Sequence, residues 1–119
     1  MDIKRRLQKL VNLYIRQRDA GKPCISCGKP IVGQVHAGHY ISQGMHGFLR
    51  YHLDNISAQC PNCNVWLRGN LIKYRMNLVK KIGLERVEYL EDHMNDIKKW
   101  TRDELIAIEV DIKERLGRL

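Results

Sequence analysis

No stretch of this chain reaches about 18 consecutive apolar residues, the length a membrane-crossing helix needs, and the N-terminus lacks the apolar core of a secretory signal. The expectation is a soluble protein of the cytoplasm. Proline occurs only three times, and no repeat, low-complexity tract or Gly/Ser-rich linker interrupts the 119 residues. Nothing marks a domain boundary, so one domain over 1–119 is expected. Acidic residues are scarce where basic ones are dense: residues 1–79 carry 12 Lys or Arg against 3 Asp or Glu, whereas residues 80–119 carry 9 against 10. The net charge of +8 thus belongs to the first two thirds, which reads as a surface for a polyanion. A solvated basic face that keeps the protein soluble is the plainer alternative.

Cysteine is also scarce, at four residues, but its spacing is informative: Cys24-x-x-Cys27 and Cys60-x-x-Cys63. In a reducing compartment such pairs hold a metal more often than they form disulfides. Two C-x-x-C knuckles suit tetrahedral zinc, with an iron–sulfur site as the less favoured metal alternative. The 32 residues between the pairs exceed the 15–20 of an ordinary zinc ribbon. The zinc would therefore clamp something built between its ligands.

Apolar spacing supplies the elements around that clamp. Ile3, Leu7, Leu10, Val11 and Tyr14 predict a helix over 3–18 with Lys4, Arg5, Arg6, Lys9 and Arg16 largely off the stripe. Short β-prone pieces over 31–41 and 49–57 flank the Gly-rich "SQGMHG" and predict a hairpin with a long tip. Helix resumes at Pro61. Asn70 would cap Leu71–Ile82, and Gly83 would close it. A further stripe runs over Leu84, Val87, Leu90 and Met94. Thr101-x-x-Glu104 is a capping box, Trp100 is placed to staple Leu105, and Leu105, Ile108, Ile112 and Leu116 give the buried stripe of a last helix ending near Gly117.

The segments "PCISCG", "AGHY", "LRYHLDNISAQCPNCN", "GNLIKYR" and then "IG", in that order over about residues 10–115, resemble the phage lambda NinG (Rap) recombination endonucleases. Their strand, loop, strand, helix arrangement with His, Asn and Asn also resembles the HNH, or ββα-metal, nuclease fold. The resemblance implies an α+β fold: a zinc-clamped ββα-metal core over 20–80, an N-terminal helix and a C-terminal helical subdomain over 84–117. It implies a metal-dependent endonuclease that cuts branched DNA such as Holliday junctions inside a bacterial host. His39 would be the general base, Asn55 would hold the hairpin loop and so orient it, and Asn64 would bind a catalytic Mg²⁺ or Mn²⁺. Zinc on Cys24, Cys27, Cys60 and Cys63 would be structural. The chemistry asks for such residues: phosphodiester hydrolysis needs a base that is neutral near pH 7 and a cation to offset charge on the phosphate.

Gly38 departs from the pattern, because many HNH enzymes place a metal-binding Asp or His directly before the base. His36 is the nearest substitute. Residues 36 and 39 point to opposite faces of a regular strand. A bulge at Gly38 would bring both imidazoles to one side, and without one His36 faces the back of the hairpin. His46, His52 and His93 carry weaker signals. Arg50, Arg68, Lys73 and Arg75 are candidates for gripping phosphates, with plain surface charge as the alternative for each. A dimer would engage two arms of a branched DNA symmetrically. The competing function is a non-catalytic, zinc-stabilised nucleic-acid-binding module, and a partner-binding scaffold built on the C-terminal helices stands behind it.

Overall fold

Asp2 starts the first helix by accepting the Arg5 N–H at 3.0 Å, satisfying one of the donors that a helix start leaves unpaired. The computed structural model describes residues 2–44 and 46–119; Met1, and Met45 in the "SQGMHG" tip, lie outside the described residues. Helix α1 spans Ile3–Arg18 and buries Leu7, Val11, Tyr14 and Ile15, while Arg5, Arg6, Lys9 and Arg16 stay exposed. The predicted stripe is present, with Ile15 added to it.

Strands β1 (His36–His39) and β2 (Ile56–Gln59) pair antiparallel, His36 opposite Gln59 and His39 opposite Ile56. Both are shorter than their sequence pattern predicts. Gly33 turns the incoming chain at φ +85°, and on the far side Leu53–Asn55 forms a 3-10 turn in which the His52 ring accepts the Asp54 N–H. Local side-chain bonds therefore claim backbone groups that a longer ladder would have used. The pairing is one-for-one throughout, so the bulge considered at Gly38 is absent.

After β2 comes a single π-helical turn, Asn62–Trp66, closed by the Leu67 N–H on the Asn62 carbonyl. Helices α2 (Leu71–Ile82), α3 (Leu84–Asp92) and α4 (Arg102–Gly117) follow. Asn70 sits before α2 as expected but does not cap it; its backbone is left-handed, at φ +45°, and its side chain donates to Cys63 Sγ instead. Helix α3 stops short of Met94, which is exposed. The capping box at Thr101 and Glu104 is formed in both directions. No described helix is long and apolar enough to cross a membrane.

Two clusters of buried side chains grip the hairpin. Helices α1 and α4 supply the first, in which Leu7, Val11, Ile15, Leu105 and Ile112 pack with Tyr51 and Ile56 and Trp100 lies against the edge. Helices α2 and α3 supply the second, with Tyr74, Leu78, Val87 and Leu90 around Ile25, Tyr40 and Leu49. Between them the buried Asp19, at the end of α1, accepts the Ala58 N–H at 2.9 Å, Lys81 Nζ at 3.0 Å and Arg18 Nε at 2.8 Å. One carboxylate thus ties α1 and α2 to β2. The architecture is an α+β one, with helices around a two-stranded sheet.

Candidate metal and nucleic-acid site

Each C-x-x-C element folds into a tight turn. The Gly28 N–H bonds the Cys24 carbonyl at 2.9 Å with Gly28 at φ +72°, and the Asn64 N–H bonds the Cys60 carbonyl at 3.0 Å. The two turns bring all four sulfurs within 4.8 Å of one another, Cys27 and Cys60 being 4.0 Å apart. A tetrahedral zinc with bonds of about 2.3 Å separates its sulfurs by about 3.8 Å, so a small contraction closes this set on one ion. All four cysteines are free thiols. Burial works against an ionised Cys24, yet backbone N–H groups from Cys60, Cys27 and Ser26 bring its thiol down to about 7. Burial pushes the Cys63 thiol up to about 12. A divalent cation is what allows such a crowded set to ionise together. The four cysteines are therefore placed to hold one zinc ion.

Between the cysteine pairs, residues 40–44 and 46–55 belong to the hairpin tip, and Asn55 fastens its two ends. Fully buried, Asn55 accepts the Ile41 N–H at 2.8 Å and donates to the Ile41 carbonyl at 2.9 Å and the Leu49 carbonyl at 3.4 Å. Next to Leu49, the Arg50 carbonyl takes a 3.0 Å bond from His39 Nε2. A carbonyl only accepts, so Nε2 carries the ring proton and Nδ1 keeps its lone pair. Burial, followed by the nearby Arg50 charge, holds His39 below the usual histidine range despite that bond.

His39 lines an open cleft of about 650 Å³ together with Ser42, Asn64, Arg68, Met94 and Asn95. Asn64 reaches it from the π-helical turn directly after Cys63. The regular ladder puts His36, Gly38, Ser57 and Gln59 on one face and His39 with Ile56 on the other. That first face is the one Asn64 approaches: Asn64 Nδ2 donates to His36 Nδ1 at 2.9 Å. His36 and Asn64 are therefore partners without any bulge, and the bond occupies the ring nitrogen that faces Asn64.

The four candidate phosphate ligands are placed differently. Arg68 is exposed on the cleft wall and Lys73 is exposed on α2. Arg50 lies in a groove with Lys4, Arg5 and Lys9 of α1. Arg75 is engaged by Glu91 through two bonds of 2.7 and 3.0 Å. Of the weaker histidines, His46 is exposed, His52 caps the 3-10 turn, and His93 pairs with Asp96 at 2.5 Å. The sequence reading passed over Gln59, whose side chain bonds Ser26 and the Gly69 carbonyl, and Tyr74, whose hydroxyl donates to the Gly38 carbonyl at 2.7 Å. Nothing in the sequence marks either as more than core; the place of Gln59 opposite His36 comes from the strand register.

The family model described as Bacteriophage Lambda NinG protein matches residues 1–119. Protein ninG of Escherichia phage lambda is 40% identical over 112 residues, which cover 94% of this chain and 54% of that protein. Protein ninG of Salmonella phage P22 is 40% identical over 113 residues, covering 94% and 55%. The chain thus spans about half the length of the curated relatives it matches. No solved structure matches it.

Proposed function

The chain belongs to the bacteriophage lambda NinG family, and from that premise we propose that it is a metal-dependent DNA endonuclease acting on branched recombination intermediates such as Holliday junctions. The observation that carries this reading is His39. Its Nε2 proton is fixed on the Arg50 carbonyl, its ring is held neutral by burial, and it borders the same cleft as Asn64 and Arg68. An imidazole with a known tautomer and a spare lone pair is what a general base for water must be. Asn55 keeps the Arg50 carbonyl in place by tying Leu49 to Ile41. The zinc cluster serves as scaffold, because fixing Cys63 fixes Asn64.

Asn64 would hold the catalytic Mg²⁺ or Mn²⁺. Bound there, that cation offsets charge on the phosphate and the leaving oxygen. The donors fit a hard cation in kind, since amide oxygens are among its usual ligands. Arg68 on the cleft wall and Lys73 on α2 are positioned to take the flanking phosphates.

A second reading, the non-catalytic nucleic-acid-binding module, is favoured by one observation: among the described residues, the cleft lining contains no Asp or Glu. Incubation with a four-way junction and with linear duplex of the same sequence, each with Mg²⁺, Mn²⁺ or EDTA, separates the two. We expect metal-dependent cuts near the branch point, faster on the junction. His39→Ala should lower the rate about 10²-fold or more while DNA affinity stays within a few-fold. Absence of cleavage on every DNA with either metal favours the binding module; equal rates on both DNAs remove the junction preference alone.

A further inference from the structure

Beside the cleft, apolar side chains that a small domain would ordinarily bury stand in solvent. Trp66 is 80% exposed and Ile72 82%, and Val65, Leu67, Leu71 and Met76 are exposed with them. A single exposed apolar residue needs no explanation, but six between positions 65 and 76 mark a surface that something covers. Val65 and Leu71 line the cleft that also holds His39 and Arg68. Trp66 ends the π-helical turn that carries Val65. The Arg68 N–H on the Val65 carbonyl at 3.3 Å and the Asn70 N–H on the Leu67 carbonyl at 2.9 Å keep the following loop tight, so the turn stays beside the start of α2. On α2 itself, Ile72 and Met76 lie one turn apart on the outer face with the exposed Lys73 and Lys80, while Tyr74 and Leu78 point into the core. The charge around these residues has one sign. No Asp or Glu occurs between Asp54 and Glu85, whereas Arg68, Lys73 and Lys80 are exposed.

An aromatic and aliphatic surface edged by cations matches a nucleobase face beside its phosphate. A second copy of this chain matches it less well, because a two-fold contact would gather the same cations from both copies. The interior of a continuous duplex leaves no base face free, since each base pair is covered by the next. A branch point, where stacking stops, does leave one. We propose that Trp66, with Ile72 beside it, stacks on the base face left uncovered at the branch point of a branched DNA, while Arg68 and Lys73 hold the adjoining phosphates. The proposal rests on branched DNA being the substrate, and it names the part of that DNA which is recognised. Every base has a flat π-face, so such a surface senses branching and is indifferent to base order. Because Val65 and Leu71 continue the apolar surface into the cleft wall, a strand leaving the stacked base runs toward His39.

The test is fluorescence anisotropy in EDTA, which prevents cutting, with a labelled four-way junction and a continuous duplex. All DNA ends are closed by ethylene glycol linkers, so the branch point is the one uncovered base face. Trp66→Ala should weaken junction binding about tenfold or more and leave duplex binding within about twofold. The salt dependence on both DNAs should stay as it was, because no phosphate contact is removed. Trp66→Phe keeps a ring and should stay within about threefold of the parent on the junction. The junction should also quench tryptophan emission in the parent chain and not in Trp66→Phe, where Trp100 alone emits. Since Trp66 is mostly in solvent, its truncation leaves the core intact, and thermal melting checks this. Unchanged junction affinity in Trp66→Ala, an equal loss on junction and duplex, or an equal loss in Trp66→Phe overturns the proposal. So does a change from dimer to monomer in Trp66→Ala with DNA binding unaltered, which assigns the surface to a second copy. The nuclease reading fails separately: if the parent cuts no DNA with Mg²⁺ or Mn²⁺ but the Trp66 effect is present, the stacking surface stands without the enzyme.

Discussion

Asp19 holds three elements of this fold together through one buried carboxylate. Burial alone would raise its pKa, but the Arg18 guanidinium, the Ala58 N–H and Lys81 bring it down from 3.8 to about 2. A carboxylate whose folded value lies below its unfolded value stabilises the fold above the unfolded value, and the contribution disappears as pH falls through the folded one. This is worth about 2 kcal/mol, present above about pH 4 and lost on the way to pH 2. Asp19→Asn should cost roughly 2–4 kcal/mol at pH 7, since Arg18 and Lys81 would lose their buried partner. It should also flatten the acid limb of the stability curve, and urea unfolding from pH 2 to 7 measures both effects. An unchanged limb would place the acid sensitivity elsewhere. Asp19 was illegible in the sequence because a lone Asp after a helix is usually a cap or a surface charge, and its partners lie up to 62 residues away. His39, Asn55 and Asn64, in contrast, sit within segments whose order is itself a pattern.

The turn between the four-cysteine cluster and α2 has positive φ at two non-glycine positions. Arg68 at φ +51° and Asn70 at φ +45° flank Gly69 at φ +95°. Asparagine tolerates this region, whereas arginine loses about 1 kcal/mol there, part of which glycine would forfeit as unfolded-state freedom. Arg68→Gly should therefore leave melting temperature unchanged or raise it by a few degrees, while weakening DNA binding. A fall in melting temperature would instead make Arg68 a structural part of the turn. Backbone strain at an exposed cation fits a residue kept for what it touches. The helices were largely legible because caps and apolar stripes are local signals: α1, α2 and α4 begin and end where the sequence places them. The strands were not, as their lengths depend on side-chain bonds from His52 and Asn55 that compete with the ladder. The cap expected from Asn70 failed for a related reason: a sulfur of the metal cluster takes its amide.

At the scale of the whole molecule, two basic groups stand out as phosphate contacts: Lys4, Arg5, Lys9 and Arg50 in the groove beside α1, and Arg68 on the cleft wall with the exposed Lys73 on α2. Backbone contact by these six side chains would give a slope of log K against log salt of about −5, and contact by one group alone about −2 to −4. Fluorescence anisotropy of a labelled junction in EDTA, over a salt series, measures that slope. A value near zero would mean that the basic surface does not bind phosphate. The sequence shows how much charge there is and that the first two thirds of the chain hold the excess. It did not reveal that Arg75 is taken by Glu91 or that Arg50 joins α1, because those pairings arise only when distant elements meet. The four-cysteine cluster has a mechanical consequence as well. With the ion in place, tension applied to the two ends of the chain enters at Cys24 and leaves at Cys63, bypassing everything between Cys27 and Cys60. His36, His39, Asn55 and Gln59 all lie inside that slack ring, so a pull along the polypeptide reaches them only after a zinc–sulfur bond has broken.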